Sequence, residues 1–235
     1  MDETTRQQLI AINADFYERH AESFSSTRDH PWPGWKRVVA GQDREGVLRV
    51  LDVGCGNGRL ASFLRSACTV DYVGVDTSRA LVEVARSRFG TARFEVCDAL
   101  DAPPGPFDLV AVFGLMHHVP GFEQRVEMLA ALGGRLAPAG RLAVTFWRFG
   151  NDPRFEGRLR GFDESIDASE LEPGDHRLLW GDGGEEDARY CHFCDDAELE
   201  RVVAALDTAG FDVVDRFLSD GRGGEFNQYL VWSRR

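Results

Sequence analysis

A glycine-rich stretch directly after an apolar run is the feature that most limits how this chain can fold. Residues 47–60 read VLRVLDVGCGNGRL, in which a strand-like segment leads through Asp52 into Gly54, Gly56 and Gly58. Glycines let the backbone bend sharply and approach a ligand closely, because no Cβ stands in the way. A strand, a glycine turn and a helix in this order are typical of nucleotide-binding units in parallel sheets. The stretch therefore predicts a ligand site at the end of the first strand.

The spacing of the three glycines separates this turn from a dinucleotide-binding turn. The dinucleotide pattern G-x-G-x-x-G has its third glycine where this chain has Arg59, and here the third glycine comes one residue earlier. In dinucleotide sites that glycine packs the helix whose N-terminus faces a pyrophosphate. An anionic Asp52 just before the turn suits an ammonium group better than a phosphate. The turn therefore favours a ligand with an ammonium group over a dinucleotide.

Apolar, β-rich segments alternate with segments of helical periodicity through the middle of the chain. The predicted strands are Val47–Val53, Val70–Val75, Ala92–Cys97, Phe107–Phe113 and Arg141–Phe146. The predicted helices between them are Gly58–Ala67, Ser78–Phe89 and Phe122–Leu136. This alternation predicts right-handed βαβ units on a parallel sheet that is covered on both faces.

The two ends of the chain predict a helix and a hairpin. Near the start, Leu9, Ile12 and Phe16 share one helical face, which predicts a helix packed over the sheet edge. After Gly210, the runs FDVVDRFL and FNQYLVW read as two strands of an antiparallel hairpin joined by a glycine-rich turn.

The segment that breaks the alternation is strongly acidic. Residues 151–189 hold twelve acids against five arginines and few apolar residues, which is typical of a partly mobile insertion or lid. We therefore expect one domain over residues 1–235, with a helical cap at residues 1–40 and an acidic insertion or lid at residues 151–190.

Composition limits the partners and the compartment. The formal net charge of −12 opposes attraction to a phosphate backbone, so we expect no DNA partner, and binding of RNA needs a local basic patch or a partner protein. Residues 1–20 are too polar for a secretory signal, and the longest apolar stretch, Leu109–Met116, is far shorter than the ~20 residues of a membrane helix. Five scattered cysteines, an odd number, favour free thiols in a reducing compartment. We expect a cytoplasmic protein without membrane contact.

Two further acids follow the next two predicted strands. Asp76 ends the second strand, at the distance from the glycine turn where an acid is expected to take ribose hydroxyls, and Asp98 ends the third. Ligands of open parallel sheets bind at this edge. The turn, the parallel sheet and the reversed last strand resemble the class I S-adenosylmethionine (SAM) methyltransferases. The resemblance implies a Rossmann-like fold with a mostly parallel seven-stranded sheet and an antiparallel C-terminal hairpin.

The resemblance to class I methyltransferases also implies SAM as the cofactor and a set of residues that hold it. In that family, the acid at the position of Asp98 contacts the adenine amino group. The implied cofactor-binding residues are Asp52, Gly54, Cys55, Gly56, Asn57, Gly58, Asp76, Thr77, Cys97, Asp98, Ala99, Phe113 and Met116.

The residues after the fourth predicted strand, FGLMHHVPG, occupy the position that faces the transferable methyl group in class I methyltransferases. The candidates there are Phe113, Leu115, Met116, His117 and His118. Adjacent side chains on an extended segment point in opposite directions, so we expect at most one histidine to reach the site. We choose His117 as the catalytic candidate.

Several segments are similar to those of the eukaryotic tRNA wobble-uridine carboxymethyl methyltransferases, a family that includes the methyltransferase domain of the AlkB homologue that modifies tRNA. They cover nearly the whole chain: FSSTRDHPWP at residues 24–33, LDVGCGNG, HH, LAPAGRLAVTFW and RYCHFCDDAELERVV. The resemblance implies transfer of a methyl group from SAM to a carboxylate on a modified uridine of tRNA. It also implies a small zinc-ribbon activator subunit as a partner.

Methylation of a carboxylate needs alignment of the reacting atoms more than it needs a base. The carboxylate is already ionised at pH 7, and the sulfonium is a charged leaving group. A site of this kind requires a fork of donors to hold the carboxylate, which arginine supplies. Arg28, in the signature segment, is the first candidate and Arg148 the second, while Tyr17 and Trp32 are expected to wall the methyl site.

Two other functions and one other site chemistry are compatible with the residues. The first alternative is a small-molecule O- or N-methyltransferase, in which His117 serves as the base for a hydroxyl acceptor. The second is a non-catalytic scaffold with the same fold. The segment CHFC at residues 191–194 offers ligands for zinc, but zinc sites usually have a second ligand pair and none is evident, so we expect no metal.

Overall fold

Seven strands form one sheet in the computed structural model, which describes residues 1–41, 46–181, 184 and 187–235. The strands of this sheet are β1 (Leu48–Val53), β2 (Val70–Asp76), β3 (Arg93–Val96), β4 (Phe107–Val112), β5 (Leu136–Trp147), β9 (Phe211–Ser219) and β10 (Asn227–Arg234). Their spatial order is β3-β2-β1-β4-β5-β10-β9. Strands β1 to β5 pair in parallel, and β10 runs antiparallel to both β5 and β9. The predicted mostly parallel sheet with an antiparallel C-terminal hairpin is confirmed.

Helices cover both faces of the sheet. They are α1 (Glu3–Ser26), α2 (Pro33–Ala40), α3 (Arg59–Ala67), α4 (Arg79–Arg88), α5 (Phe122–Gly133), α6 (Pro153–Glu156) and α7 (Asp196–Thr208). Buried residues of α2, α3 and α4 form one core cluster, and those of α5 and α7 form another. Successive side chains of β1 point to opposite faces of the sheet, so Val50 packs in the first cluster and Leu51 in the second.

The boundary between α5 and β5 differs from the prediction. The helix ends at Gly133 instead of Leu136, and the strand begins at Leu136 instead of Arg141. Pro138 argues against a strand there, since proline lacks an N–H for the ladder. The strand tolerates it through an irregular segment, in which Ala139 has a φ of 61° and the pairing with β4 shifts register between Phe107 and Leu109.

The predicted N-terminal helix is present as α1, with Leu9 and Phe16 fully buried. Leu9 belongs to a small cluster with Ile166 and Tyr190, and Ile12 packs against that cluster. The helix therefore packs on the segment that follows β5.

That acidic segment contains a second sheet, which the sequence analysis did not predict. Three short antiparallel strands lie in the order β6-β7-β8: β6 (Leu159–Arg160), β7 (Asp175–Leu179) and β8 (Ala188–His192). Buried Ile166 and Leu178 give the segment apolar contacts of its own. Residues 182–183 and 185–186 of the predicted insertion lie outside the described residues. The lid role of residues 151–190, like the domain bounds, stays a prediction.

Across the described parts of the chain, we find no helix that combines the length and the apolar character needed to span a membrane.

Candidate active site

A cavity of about 1030 Å³ lies at the carboxyl ends of the parallel strands. Its wall includes residues that directly follow β1, β2, β3 and β4, together with parts of α1, the α1–α2 connection and the small sheet. Open parallel sheets bind ligands at this edge, and the volume is at the upper end of the usual range for ligand sites. The cavity therefore has room for a donor and an acceptor together.

The glycines of the turn after β1 have different surroundings. Gly54, Gly56 and Gly58 all have positive φ, at 73°, 53° and 78°. A Cβ on Gly58 would come within 2.9 Å of the Phe94 ring and 3.1 Å of the Ala85 Cβ, whereas a Cβ on Gly56 would meet nothing within 4 Å. Gly58 therefore allows α3 to pack closely on its neighbours. Gly56 keeps the backbone open toward the cavity that it lines.

Asp52 is buried next to the turn and lines the cavity. The Tyr72 hydroxyl donates to its Oδ2 atom at 2.6 Å. Burial raises the pKa of Asp52 to about 7, although the hydrogen bond from Tyr72 opposes the shift. A carboxylate held in this way gains from a nearby cation, which matches the predicted ammonium partner.

Asp76, the last residue of the neighbouring strand β2, is hydrogen-bonded to the glycine turn. Its carboxylate accepts hydrogen bonds from the backbone N–H of Gly56 at 2.8 Å and from that of Ser78 at 2.9 Å. Burial raises its pKa, and these hydrogen bonds lower it in part. Asp98 is exposed at the rim, where its side chain accepts from the Leu100 N–H.

Most of the predicted cofactor residues line the cavity. They are Asp52, Gly54, Cys55, Gly56, Asn57, Asp76, Thr77, Cys97, Asp98, Ala99 and Phe113. Asn57 also points its amide at the α1–α2 connection, 3.3 Å from the Arg28 carbonyl oxygen. Gly58 supports the turn from behind without lining the cavity. Met116 does not line it either, because its side chain is buried in the core cluster with α5 and α7.

Both histidines after β4 line the cavity, so the expectation that at most one reaches it is wrong. They do not lie on an extended segment: Met116–His118 forms a 3₁₀ turn, and the two rings are 4.0 Å apart. Burial lowers the pKa of His117 well below 6.5, and its Nδ1 atom has no partner among the described residues. His117 is therefore neutral at pH 7, with one ring nitrogen free for a ligand.

His118 is bound on both ring nitrogens. Its Nδ1 lies 2.9 Å from the Tyr190 carbonyl oxygen and 3.1 Å from the Asn13 side-chain nitrogen. Its Nε2 lies 2.7 Å from the Tyr17 hydroxyl. Burial raises the pKa of Tyr17 to about 12. The pair fixes the neutral Tyr17 in the cavity wall, where the sequence analysis expected it.

Arg28 lies in the cavity wall without an acidic partner among the described residues. Its guanidinium carbon is 3.8 Å from the centre of the Phe24 ring and 4.8 Å from that of Trp180. Burial, followed by the charge of Arg189, lowers the pKa of Arg28 to about 9. The cation is thus held by aromatic rings beside another cation, and an anion placed there would be stabilised.

Arg148 does not join the site, which corrects the second arginine prediction. The chain enters a 3₁₀ turn after β5, and the Arg148 side chain donates to Asp196 Oδ1 at 2.9 Å, at the start of α7. Trp32 does line the cavity, as expected, and packs with Trp35 and beneath the Arg59 guanidinium.

Arg189 and Trp147 are site residues that the sequence analysis assigned no role. Arg189 is 4% exposed, lines the cavity, and lies 5.2 Å from the Trp180 ring and 5.7 Å from the Trp147 ring. Trp147, at the end of β5, lies 4.9 Å from the His117 ring. The one available signal was the segment RYCHF, because a charged residue within an apolar strand is uncommon unless it has a ligand or a partner.

Among the described residues, two groups of side chains have spacings compatible with a metal ion, and both make other interactions. Glu172, Asp175 and His192 belong to a buried network in which His192 contacts Asp175 at 2.8 Å and Glu198 at 2.7 Å. The other group is His117, His118 and Cys191. There His118 is already bound on both sides, and the buried Arg189 hydrogen-bonds to Cys191, so a second cation is disfavoured. The expected absence of a metal stays a prediction.

Comparison with known proteins identifies the domain. Residues 50–140 match the family described as "Methyltransferase domain". These residues of the chain are similar to a methyltransferase domain. SAM, the predicted cofactor, is the methyl donor of the SAM-dependent methyltransferases that have this fold. The domain's lining residues fit it, since Asp52 and Arg59 offer partners for the ammonium and carboxylate of its amino-acid end.

Several relatives of this chain are named as tRNA methyltransferases. A tRNA (carboxymethyluridine(34)-5-O)-methyltransferase of Xenopus tropicalis is 35% identical over 133 residues, which cover 56% of this chain and 20% of that protein. The enzyme of the same name from Saccharomyces cerevisiae is 27% identical over 152 residues, 64% of this chain and 53% of its own length. The chain thus spans about a fifth of the first of these relatives and about half of the second. The predicted resemblance is confirmed.

Solved structures show the same fold at low sequence identity. A SAM-dependent methyltransferase from Clostridium acetobutylicum superposes with a TM-score of 0.65 at 12% identity, covering 93% of this chain and 97% of that one. Magnesium protoporphyrin IX methyltransferase from Synechocystis, solved with bound SAM, covers 100% of this chain and 86% of its own at a TM-score of 0.55 and 17% identity. The class I fold is therefore confirmed for the methyltransferase domain.

Proposed function

We propose that this protein transfers a methyl group from SAM to the carboxylate of a carboxymethyl-modified wobble uridine in tRNA, in a cytoplasmic setting. The observation that carries the proposal is the placement of Arg28. It lines the same cavity as the glycine turn, it is partly buried, and among the described residues it has no carboxylate partner. An arginine that lacks its counter-ion beside a donor site suits an anionic acceptor.

The chemistry requires positioning more than proton transfer. When bound, SAM supplies a methyl group on a cationic sulfur. Asp52 and the glycine turn then orient the donor from the sheet edge, while Arg28 orients the acceptor carboxylate from the α1–α2 connection. The neutral Tyr17 and the aromatic rings of Phe24 and Trp180 shield the space between them from water. Alignment of this kind can lower the barrier of a reaction between two bound groups by about 7–11 kcal/mol.

The names of the tRNA-modifying relatives support the acceptor, and the charge of the chain bears on its partners. With a net charge of −12, the protein gains little from the phosphate backbone alone. We propose that a small zinc-ribbon subunit completes the tRNA-binding surface, as the family resemblance implies.

A small-molecule O-methyltransferase is the second candidate, favoured by one observation. His117 is neutral, lines the cavity and has an Nδ1 atom without a partner among the described residues, so it is able to accept the proton of a hydroxyl acceptor.

Incubation with labelled SAM tests both functions. Bulk tRNA with carboxymethyluridine, with and without a zinc-ribbon subunit, is compared with a pool of small hydroxylated metabolites, and the products are identified by nucleoside mass spectrometry. We expect a methyl ester on the wobble uridine. Label found in a metabolite and none in tRNA would favour the small-molecule O-methyltransferase. Failure to bind SAM in a titration would leave the non-catalytic scaffold as the remaining function.

A further inference from the structure

Four buried nitrogen atoms of three cavity-lining side chains have no hydrogen-bond partner among the described residues. They are Arg189 Nε and Nη1, Trp147 Nε1 and His117 Nδ1, and all four atoms are buried. Arg189, Trp147 and His117 all line the cavity. Buried polar groups in folded proteins nearly always have a partner, and these three side chains adjoin one another in the cavity wall, so a ligand in the cavity is the partner that we expect.

The three side chains form one contiguous group. The Arg189 guanidinium lies 5.7 Å from the Trp147 ring, and that ring lies 4.9 Å from His117. Arginine and the tryptophan N–H only donate, and a neutral histidine protonated at Nδ1 donates there as well. The charged and titratable groups that interact with Arg189 are Tyr17, Cys191, Arg28 and the two histidines, and no ion pair joins Arg189 to an aspartate or glutamate among the described residues. The matching ligand group accepts hydrogen bonds and carries a negative charge.

We infer that Arg189, Trp147 and His117 form an anion subsite that binds the acceptor's carboxylate and selects it over neutral groups of the same shape. The inference rests on the proposed function for the identity of the acceptor. A carboxylate accepts at both oxygens, whereas a carboxamide presents an N–H₂ group that would face another donor. Charge-assisted bonds are also strongest in surroundings of low dielectric.

Arg28 and the anion subsite then have different tasks. The guanidinium carbons of Arg28 and Arg189 lie 4.8 Å and 5.2 Å from the centre of the Trp180 ring, so both groups pack on one indole. Arg28 is half-buried and orients the acceptor carboxylate from the α1–α2 connection. Arg189, being nearly fully buried, decides whether a charged group is accepted at the inner end.

Binding of two nucleosides to the protein saturated with S-adenosylhomocysteine tests the subsite. The probes are 5-carboxymethyluridine and its neutral carboxamide, measured by isothermal titration calorimetry. We expect the wild-type protein to bind the carboxylate at least tenfold more tightly than the carboxamide. Arg189→Met should weaken carboxylate binding by roughly 10- to 100-fold, the range for a lost charged hydrogen bond, and leave carboxamide binding unchanged. Trp147→Phe, which keeps the ring and removes the N–H, should weaken it by roughly 3- to 10-fold.

Arg201→Met is the matched control, since Arg201 is an exposed arginine on α7 that also lies over an aromatic ring, 4.0 Å from Phe122. It should change neither affinity. S-adenosylhomocysteine affinity reports the folded state of each variant, and Arg189→Lys provides a second variant that keeps the charge. The subsite is excluded by equal wild-type affinity for the two nucleosides, by absent carboxylate binding, or by equal losses for both probes in Arg189→Met and Trp147→Phe.

The same variants separate the subsite from the proposed function. If wild-type protein and Arg189→Met methylate the tRNA carboxylate equally well, the subsite is wrong and the function stands. If the carboxylate nucleoside binds in an Arg189-dependent way but tRNA is never methylated, the subsite stands and the tRNA acceptor is wrong.

Discussion

The two halves of the cavity differ in how their charges are satisfied. In the donor half, Asp76 accepts two backbone N–H groups and Asp52 accepts the Tyr72 hydroxyl, so the acids have hydrogen-bond partners without a ligand. In the acceptor half, Arg28 and Arg189 have no acidic partners among the described residues. The difference indicates that the donor half is organised by the chain itself, whereas the acceptor half is completed electrostatically by what it binds.

The halves also differ in how the chain builds them. The donor half consists of loops that directly follow β1, β2 and β3, and the sheet fixes their positions. The acceptor half brings together the end of α1, the 3₁₀ turn after β4 and strand β8 of the small sheet. Substitutions in the donor half should therefore reduce donor binding, and those in the acceptor half should reduce turnover.

Asp76→Ala should have the largest effect on donor binding. It removes the group expected to hold the ribose hydroxyls and leaves the Gly56 and Ser78 N–H groups without their acceptor. We expect SAM affinity to fall roughly 100-fold or more, as measured by calorimetry. Asp71→Ala, an exposed change near the opposite end of β2, serves as the control and should leave affinity unchanged. Equal affinities for wild type and Asp76→Ala would show that this acid is not part of the donor site.

Arg28→Ala should impair turnover through the acceptor half and leave SAM binding in the donor half nearly unchanged. Loss of one charge-assisted contact to a carboxylate is expected to lower kcat/KM roughly 100-fold, while SAM affinity stays within roughly twofold of wild type. Steady-state methylation of tRNA and a SAM titration measure the two quantities. Arg201→Ala on α7 is the control and should change neither. If both quantities drop together, Arg28 belongs to the donor half and the comparison fails.

The donor half was the part that the sequence predicted well. The D-x-G-x-G-x-G spacing, Asp76 and Asp98 follow strands whose apolar runs are continuous, and local patterns of this kind carry the needed information. Gly58 and Gly56 have different surroundings that the sequence does not distinguish, because Phe94 and Ala85 reach Gly58 only through tertiary packing.

The acceptor half was predicted only in part, for a physical reason. Arg28 was found through a signature segment, but Arg189 lies on a strand of the small sheet, inside a segment whose polar composition hid its strands. Arg148 was misplaced because position along β5 does not determine where the chain turns afterward. Both histidines reach the cavity because a 3₁₀ turn replaces the expected extended backbone.

Two glycine substitutions should separate packing from ligand access within the donor half. Both positions have positive φ, so each alanine variant carries backbone strain of about 1 kcal/mol. Gly58→Ala also drives its Cβ into the Phe94 ring, and we expect a total loss of about 1–3 kcal/mol in the free energy of unfolding, measured by urea denaturation. Gly56→Ala projects its Cβ into open cavity space and should instead lower SAM affinity roughly tenfold, with a smaller loss of stability. Equal losses of stability and equal losses of SAM affinity in the two variants would contradict a packing role for Gly58 and a ligand-access role for Gly56.

The two halves should respond differently to pH, and this is the smallest effect we expect. We expect Asp52 to bind the donor's ammonium when it is ionised, and burial raises its pKa to about 7. The favourable charge is therefore present above pH 7 and is lost as the pH falls, so SAM affinity should drop roughly eightfold between pH 7.5 and pH 6. Asp52→Asn should bind weakly and independently of pH over this interval. Binding of 5-carboxymethyluridine should stay constant over the same interval, because the pKa of His117 is well below 6.5 and the arginines remain charged. A nucleoside affinity that follows the same curve as SAM affinity would show that the two halves share one titrating group.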